Sequence, residues 1–198
     1  MILKIKNLTK AFGERIVISH FSYEFEECGL YALVGESGSG KTTLMRLIAG
    51  LDKDFDGEII GGGTRTTSFA FQEKRLFSNL SALKNILELS FSAYSEDDVL
   101  TVKNNLKRLG FSDADMNLLP YELSGGMRQR VSFLRAVMRD SPILLLDEPT
   151  KELDEKNRRA INDIIAEEAE KRLVIIATHN TDDIAYLSPT LIPLGKLQ

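Results

Sequence analysis

Two segments at the start of the chain alternate between apolar and polar positions, which is the pattern of half-buried β-strands. Residues 2–8 read Ile-Leu-Lys-Ile-Lys-Asn-Leu, and residues 15–25 are rich in Ile, Val, Phe and Tyr. Gly13 lies between the two segments and favours a turn, in which we place Phe12. The pattern therefore predicts a β-layer that opens the fold.

Three later segments are continuously apolar, which is typical of strands covered on both faces, as in a parallel sheet. These segments are residues 31–34, 143–146 and 173–177. Asp147 and Glu148 follow the second segment, and His179 follows the third after a single threonine. Because ligand sites in α/β folds gather at the carboxyl ends of parallel strands, these polar residues are candidates for a functional site.

The middle of the chain carries helical signals. Apolar residues between positions 81 and 119 recur at helical spacing. Ser95 and Asp98 fit a capping box, and Gly110 is a stop signal. Ser124 is a good N-cap for the next helix. This part of the sequence predicts a compact helical lobe.

A glycine-rich loop separates the apolar run at 31–34 from a helical pattern that begins near Lys41. Its sequence, Gly35-Glu36-Ser37-Gly38-Ser39-Gly40-Lys41-Thr42, fits the phosphate-loop pattern G-x-x-x-x-G-K-[ST]. Glycines let backbone N–H groups converge on a triphosphate, and the helix start adds unpaired N–H groups and the positive end of its dipole. Lys41 can reach the β- and γ-phosphates and Thr42 can ligate Mg²⁺, so a nucleoside triphosphate with Mg²⁺ is the expected ligand. The alternative is a flexible turn that matches by chance, and the flanking strand and helix argue against it.

These elements together predict an α/β fold. Its core is that of a P-loop NTPase, with a largely parallel sheet and flanking helices, and it carries an N-terminal antiparallel β-layer and a small helical lobe. We assign the chain, residues 1–198, to a single domain. Its core and β-layer comprise residues 1–72 and 120–198, and its lobe comprises residues 73–119. Further strands are expected at residues 58–60 and at residues 68–71, the latter ending at Gln72.

With a phosphate loop in the same chain, the polar residues beyond the other apolar runs acquire specific interpretations. Asp147 is placed to bind Mg²⁺ or its water shell, and Glu148 to orient or deprotonate the attacking water. We interpret His179 as a γ-phosphate contact. The alternatives are a pair of ordinary loop acids and a structural histidine. Phe12 either stacks on a nucleotide base or is an ordinary hairpin aromatic, and the residues by themselves leave both interpretations open.

Composition narrows the functional classes. A length of 198 residues with 43% hydrophobic residues is enough for one domain with a sizeable core. The net charge of −4 gives no basic footprint, so we expect no nucleic-acid partner. Cys28 is the only cysteine, and we expect a small, partly buried thiol in a reducing, cytosolic setting. The apolar runs are too short to span a bilayer, so we expect any membrane association to come through a partner.

The motifs, in this order, resemble those of the ATP-binding cassette (ABC) family, the motor domains of ABC transporters, over essentially the whole chain. In these terms the phosphate loop is similar to Walker A, Leu123-Ser-Gly-Gly-Met-Arg-Gln129 to the signature, and residues 143–147 with Glu148 to Walker B. Gln72 stands at the Q-loop position and His179 at that of the switch histidine. The resemblance implies ATP and Mg²⁺ as ligands, and it implies catalytic roles for Glu148, His179, Gln72 and Lys41. Metal binding is implied for Thr42, Gln72 and Asp147. Nucleotide binding is implied for Phe12, Gly35, Glu36, Ser37, Gly38, Ser39, Gly40, Lys41, Thr42, Thr43, Gln72, Ser124, Gly125, Gly126 and His179.

The resemblance also implies a homodimer that encloses two ATP molecules. In the family, Walker A of one cassette faces the signature of the other, and the helix starts at Lys41 and Ser124 are both suited to an anion. The D-loop position departs from the family, because Lys151 and Glu152 stand where small residues are usual, so coupling between the two ATP sites can differ. Because the chain stops at Gln198, we expect no C-terminal regulatory domain.

Residues 71–86 and 122–130 are similar to the cassettes of nitrate-, sulfonate- and taurine-type importers. This similarity implies ATP-driven uptake of a small solute through transmembrane permease subunits, together with an extracytoplasmic solute-binding protein. The implied location is cytoplasmic and peripheral, on the inner face of the cell membrane. The alternative is a soluble, non-transport ABC ATPase that acts on ribosomes or DNA, although such proteins generally carry tandem cassettes or a long coiled-coil insertion. A GTPase switch or a small-molecule kinase leaves residues 124–129 unexplained.

Apolar residues directly after Gln72 suggest a contact with the membrane partner. Leu76, Phe77 and Leu80 lie among charged and polar residues in the segment 73–80. This composition suits a groove that receives a short helix of a membrane subunit. The alternative is that these side chains only pack the lobe onto the core.

Overall fold

The computed structural model describes residues 3–73 and 75–195. Ile2, in the predicted first strand, and Lys74, in the predicted docking segment, lie outside the described residues. The strands found within those ranges are β1 (Lys4–Phe12), β2 (Arg15–Glu24), β3 (Gly29–Val34), β4 (Asp56–Ile60), β5 (Thr67–Ala70), β6 (Ile143–Asp147), β7 (Leu173–Ala177) and β8 (Thr190–Pro193). The α-helices are α1 (Lys41–Ile48), α2 (Ala82–Ser90), α3 (Glu96–Arg108), α4 (Gly125–Met138), α5 (Glu155–Ala169) and α6 (Thr181–Leu187).

The opening β-layer is a three-stranded antiparallel sheet in the order β2-β1-β4. Its first two strands form a tight hairpin, so Phe12 is the last residue of β1, paired with Arg15, and not a turn residue as its neighbour Gly13 had suggested. β4 begins at Asp56, two residues before the strand expected at residues 58–60. The N-terminal antiparallel layer predicted from the alternating pattern is confirmed.

The second sheet has five strands in the order β5-β6-β7-β3-β8. β7 pairs in parallel with both β6 and β3, and β3 pairs in parallel with β8. Ala177 of β7 lies opposite Leu33 on one side and Asp147 on the other, so the carboxyl ends of β3, β7 and β6 reach one edge together. β5 ends at Ala70, two residues before the predicted end at Gln72.

The chain divides into two compact units. The first comprises residues up to 69, residues 141–147 and residues from 166 onward, and the second comprises residues 70–140 and 148–165. The core of the first unit lies among the β-layer, α1 and the parallel sheet, since every residue of β6 and β7 is buried. Its fully buried side chains include Phe25, Leu33, Leu44, Met45, Leu145 and Ile175.

The second unit is largely helical, and it contains α4 and most of α5 as well as the helices predicted between residues 73 and 119. α2 packs against α4, and the Ser90 hydroxyl donates a 2.8 Å hydrogen bond to the carbonyl of Arg135. The capping box is present, because the Ser95 hydroxyl accepts from the Asp98 N–H and the Asp98 carboxylate accepts from the Ser95 N–H. Gly110 follows α3 with φ +80°, a left-handed conformation that glycine adopts without strain.

Two further sequence expectations concern the environment of Cys28 and the presence of membrane-spanning segments. Cys28 is exposed and not partly buried, because it lies in the bend before β3, outside the packed faces of the strands. Among the described residues, none of the helices has the length and apolar character needed to cross a membrane.

Candidate functional site

The glycine-rich loop joins β3 to α1, as the phosphate-loop pattern requires. A Cβ atom on Gly35 would lie 2.3 Å from the carbonyl oxygen of Leu194, so only glycine fits there. Gly40 occupies the N-cap position of α1 with φ +95°, and it has no side chain with which to cap the helix. The first N–H groups of α1 therefore face the loop as an anion-binding helix terminus does.

Lys41 turns its side chain back into the loop. Its ammonium Nζ donates to the carbonyl oxygens of Gly35 at 2.7 Å and of Glu36 at 2.9 Å, and it lies 3.5 Å from the hydroxyl of Ser39. The side chain is buried, and these acceptors keep its positive charge inside the loop. The cation therefore lies where the backbone N–H groups of a phosphate loop gather around a polyphosphate.

Asp147 meets the phosphate loop through Thr42. The Thr42 hydroxyl Oγ1 donates a 2.7 Å hydrogen bond to Oδ2 of Asp147, a buried carboxylate at the carboxyl end of β6. A hydroxyl and a carboxylate are hard oxygen ligands, of the kind that bind Mg²⁺ together with nucleotide phosphates. The two metal-ligand candidates that lie in the first unit are thus adjacent, and their chemistry fits Mg²⁺.

His179 lies two residues beyond the end of β7, at the same edge of the sheet. Its ring is exposed, whereas Thr178 before it is buried and accepts a hydrogen bond from the Asn180 N–H. The Asn180 side chain in turn caps α6. The segment between β7 and α6 is therefore fixed on both sides of the histidine.

The β1–β2 hairpin approaches the phosphate loop. A guanidinium nitrogen of Arg15 lies 3.8 Å from the position of a Cβ atom on Gly38, and Val17 lies 3.0 Å from one on Gly40. Phe12, the partner of Arg15 in the hairpin, is 54% exposed. The structure thus brings the hairpin that carries Phe12 to the side of the loop, and it adds Arg15, which no sequence motif marks.

The signature residues form the start of α4 in the second unit. Ser124 is exposed, and its hydroxyl accepts from the Met127 N–H at 3.2 Å, which confirms the predicted N-cap. Gly125 and Gly126 make up the first turn, where a Cβ atom on Gly126 would lie 3.2 Å from a methyl group of Leu153. The start of this helix is open to solvent at its cap and packed on one side.

Gln129 connects α4 to Glu148 within the second unit. Its side-chain amide donates to the carbonyl oxygens of Glu148 at 3.2 Å and of Pro149 at 3.0 Å. Glu148 has φ +52°, a backbone conformation that residues other than glycine adopt at some cost in free energy. The amide of Gln129 holds this backbone in place, and the sequence gives no sign of it beyond the position of Gln129 one helical turn into α4.

Arg130 ties α4 to the predicted D-loop region. Its guanidinium donates to the carbonyl of Leu109 and, at 2.6 Å, to Oδ1 of Asn157, whose N–H groups donate to Asp154. Burial lowers the pKa of Arg130, although the charge of Asp154 opposes this shift. The backbone and side-chain N–H groups of Asn157 hold the pKa of Asp154 below its ordinary value. The result is a charged network that fixes the start of α5.

The predicted site residues thus fall into two groups. Phe12, residues 35–43, Asp147 and His179 belong to the first unit, in which the structure brings the loop together with Asp147 and with the hairpin that carries Phe12. Gln72, residues 124–126 and Glu148 belong to the second unit. Gln72 is exposed in the loop after β5, and Lys151 and Glu152 are also exposed.

A parallel sheet with a phosphate loop after β3 and a carboxylate at the end of β6 defines a P-loop nucleotide-binding protein. Residues 18–151 match the family model described as ABC transporter. The chain belongs to the ABC transporter family.

Individual relatives agree with this assignment. The chain is 36% identical to the aliphatic sulfonates import ATP-binding protein SsuB of Bacillus cereus (strain ZK / E33L), over 97% of this chain and 80% of that protein. The dimeric structure of the bacterial ABC transporter cassette MJ0796 superposes with a TM-score of 0.85 at 29% identity, over 98% of this chain and 94% of that one. The post-hydrolysis dimer of MJ0796 bound to ADP and Pi gives a TM-score of 0.84 at 28% identity, over 99% and 97% of the two chains. The protein is therefore an ATP-binding and ATP-hydrolysing subunit of an ABC transporter, and the expected P-loop NTPase fold is confirmed.

We expect Lys41→Ala to weaken ATP binding by more than about tenfold and to abolish most turnover, because the triphosphate loses a charge-assisted partner within the loop. Calorimetric titration with ATP and a phosphate-release assay measure the two effects. Lys53→Ala, at an exposed lysine of the same unit, is the matched control and keeps both values. Unchanged affinity and turnover in Lys41→Ala would contradict the role of this lysine.

Proposed function

We propose that this subunit drives the import of a small solute of the sulfonate, taurine or nitrate type. The observation that carries the proposal is the similarity to SsuB, a protein named for aliphatic sulfonate import, along almost the whole chain. The membrane path is then supplied by transmembrane permease subunits, and the solute is delivered by an extracytoplasmic solute-binding protein. In this arrangement the chain lies in the cytoplasm against the inner face of the cell membrane.

A transport assay tests the direction and the solute class. We expect tagged chain to co-purify with a permease. Vesicles that contain this complex, with ATP on the side of the cassette and the solute-binding protein on the opposite side, are expected to take up taurine or an alkanesulfonate from that opposite side. Nitrate in parallel vesicles separates the two solute types. Movement of solute away from the opposite side, or transport of neither type by a complex that hydrolyses ATP, would contradict the proposal.

In the proposed nucleotide site, the loop residues 35–40 and the first turn of α1, which includes Thr43, surround the triphosphate with N–H groups. Lys41 neutralises charge on the β- and γ-phosphates. Phe12 stacks on the base, an assignment supported by its exposure and by the approach of its hairpin to the loop.

Thr42 and Asp147 hold Mg²⁺ in this proposal, with Gln72 as a further oxygen ligand. The ion supplies neutralisation of the charge that develops on the transferred phosphoryl group. The 2.7 Å contact between the Thr42 hydroxyl and the Asp147 carboxylate supports the first two assignments. The assignment of Gln72 as a ligand is supported by its place in the loop after β5 and by the family membership of the chain.

Glu148 is proposed to orient and deprotonate the attacking water, and His179 to contact the γ-phosphate. Glu148 follows the Mg²⁺ ligand Asp147 directly, and Gln129 fixes its backbone through two carbonyl groups. A fixed backbone at Glu148 limits the positions that its carboxylate can reach, which suits a general base. Residues 124–126 are proposed to contact the ATP bound by a second copy of the chain, in a homodimer with two equivalent sites.

We expect Glu148→Gln to retain ATP binding and to lower the rate of hydrolysis by about 10²- to 10⁴-fold, because an amide cannot accept the proton of the attacking water. Light scattering with saturating ATP and Mg²⁺ is expected to show a stable dimer of the variant. Asp140→Asn, at an exposed acid just before β6, is the control and keeps the wild-type rate. Hydrolysis by Glu148→Gln at the wild-type rate would refute the general base, whereas a persistent monomer would refute the shared ATP sites.

The segment after Gln72 is proposed as the docking site for a permease helix. Phe77 is 54% exposed, while Leu76 and Leu80 are partly buried. The segment is fixed by Asn85, a fully buried residue of α2 whose Oδ1 accepts from the Phe77 N–H at 2.8 Å. The same side chain donates to the carbonyl oxygens of Phe77 and Leu80. The backbone of this segment is therefore held from within the lobe while the Phe77 ring stays outside.

We expect Phe77→Ala to fold and bind ATP like the wild type and to lose most of its assembly with the permease, because an exposed ring contributes little to the isolated fold. Co-purification with the permease and solute uptake measure the loss. Leu100→Ala, at a 57% exposed apolar residue of α3 in the same unit, is the matched control and assembles normally. Full assembly and transport by Phe77→Ala, or failure to fold, would overturn the docking assignment.

A further inference from the structure

Lys10 is a buried lysine in β1, two residues before Phe12. Its side chain is only 2% exposed, and its ammonium Nζ lies 3.0 Å from Oδ2 of Asp52 and 3.1 Å from Oδ2 of Asp54. The Nζ atom also donates to the backbone carbonyl of Asp54. Burial opposes the charged ammonium, but the hydrogen bonds and charges of the two carboxylates outweigh it, so the pKa of Lys10 is raised above its ordinary value. Lys10 is therefore a fixed cation.

The ammonium of Lys10 also lies over the ring of Phe12. The distance from Nζ to the ring centroid is 4.8 Å, within the range of a cation–π interaction. Residues two apart in a strand point to the same side, which explains why the two side chains meet. Since Phe12 remains 54% exposed, the cation covers only part of the ring and leaves the rest accessible.

The acidic partners belong to the connection between α1 and β4, far from the hairpin in sequence. Asp52 is held by the Asp54 N–H, which donates to its Oδ1 at 3.0 Å, and this bond is the first cause that keeps the pKa of Asp52 low. Lys10 thus joins the ring of Phe12 to a carboxylate in the connection that follows α1, the helix that begins at the phosphate loop.

We propose that Lys10 is a positioning residue for Phe12, which holds the ring beside the phosphate loop so that it can receive a nucleotide base. The inference rests on the proposed function in one respect, namely the stacking of Phe12 on the base. Lys10 itself touches no nucleotide in this arrangement. Its contribution therefore depends on the base of the ligand and not on the phosphates.

Two ligands separate binding of the base from binding of the phosphates in the full chain. One is a non-hydrolysable ATP analogue, and the other is inorganic tripolyphosphate, which has no base. Calorimetry gives the ratio of their two affinities for each variant. We expect Phe12→Ala to lower the affinity for the analogue by about tenfold and to leave that for tripolyphosphate unchanged. Lys10→Met is expected to lower the affinity for the analogue by about three- to tenfold and to leave that for tripolyphosphate unchanged. The double variant is expected to lose no more affinity for the analogue than Phe12→Ala alone.

Matched variants separate positioning from damage to the fold. Lys10→Arg retains the cation and is expected to restore most of the affinity ratio. Lys6→Met removes a lysine of the same strand that pairs with Glu58 at 2.8 Å, and is expected to leave the ratio unchanged. Asp54→Asn alters a carboxylate whose side chain is 95% exposed, so it provides a folded variant with a weakened anchor and a smaller selective loss even if Lys10→Met does not fold.

Each result has a distinct meaning. An unchanged ratio in Phe12→Ala refutes base stacking and with it the inference. A changed ratio in Phe12→Ala with no change in Lys10→Met and Asp54→Asn refutes the positioning role alone and leaves base stacking intact. Equal losses for both ligands in Lys10→Met also refute positioning, since they show general damage to the phosphate loop.

Discussion

Parallel pairing of β3, β7 and β6 in one register is the constraint on which the nucleotide site depends. Ala177 lies opposite both Leu33 and Asp147, so the phosphate loop and the buried carboxylate leave the sheet at the same edge. That shared edge permits the hydrogen bond from Thr42 to Asp147 across more than a hundred residues of sequence. A one-residue shift of β6 would move Asp147 to the opposite face of the sheet and remove the bond, because side chains alternate along a strand.

Two buried lysines in the first unit are held by different partners. Lys41 donates to the carbonyl oxygens of Gly35 and Glu36, so its ammonium lies inside the loop where a polyphosphate is expected to bind. Lys10 lies against the carboxylates of Asp52 and Asp54, which neutralise it where it stands. The first arrangement suits a ligand-binding cation and the second a fixed support.

Three side chains of the second unit hold segments that carry candidate functional residues. Gln129 fixes the carbonyl groups of Glu148 and Pro149, Arg130 reaches Asn157 at the start of α5, and Asn85 fixes the segment that carries Phe77. Each of these side chains is at least partly buried, where a hydrogen bond is costly to break. The signature helix and the residues that follow β6 are therefore connected by direct hydrogen bonds within one chain.

The sequence by itself determined the parallel core, the β-layer, the helical lobe, the phosphate loop and the acids after β6, because each of these is encoded by a local pattern of apolar residues, glycines or charges. It also identified the family, since the motifs stand in one order along the chain. Only the tertiary structure decided the contacts between distant residues: Lys10 with Asp52 and Asp54, the approach of Arg15 to Gly38, and the bond from Gln129 to the backbone of Glu148. The tertiary structure also shows that Phe12 lies at the end of β1 and that Cys28 is exposed to solvent. These features depend on which strands pair and where a turn closes, and a side chain of ordinary type, such as Lys10 or Gln129, carries no local sign of the partner that folding brings to it.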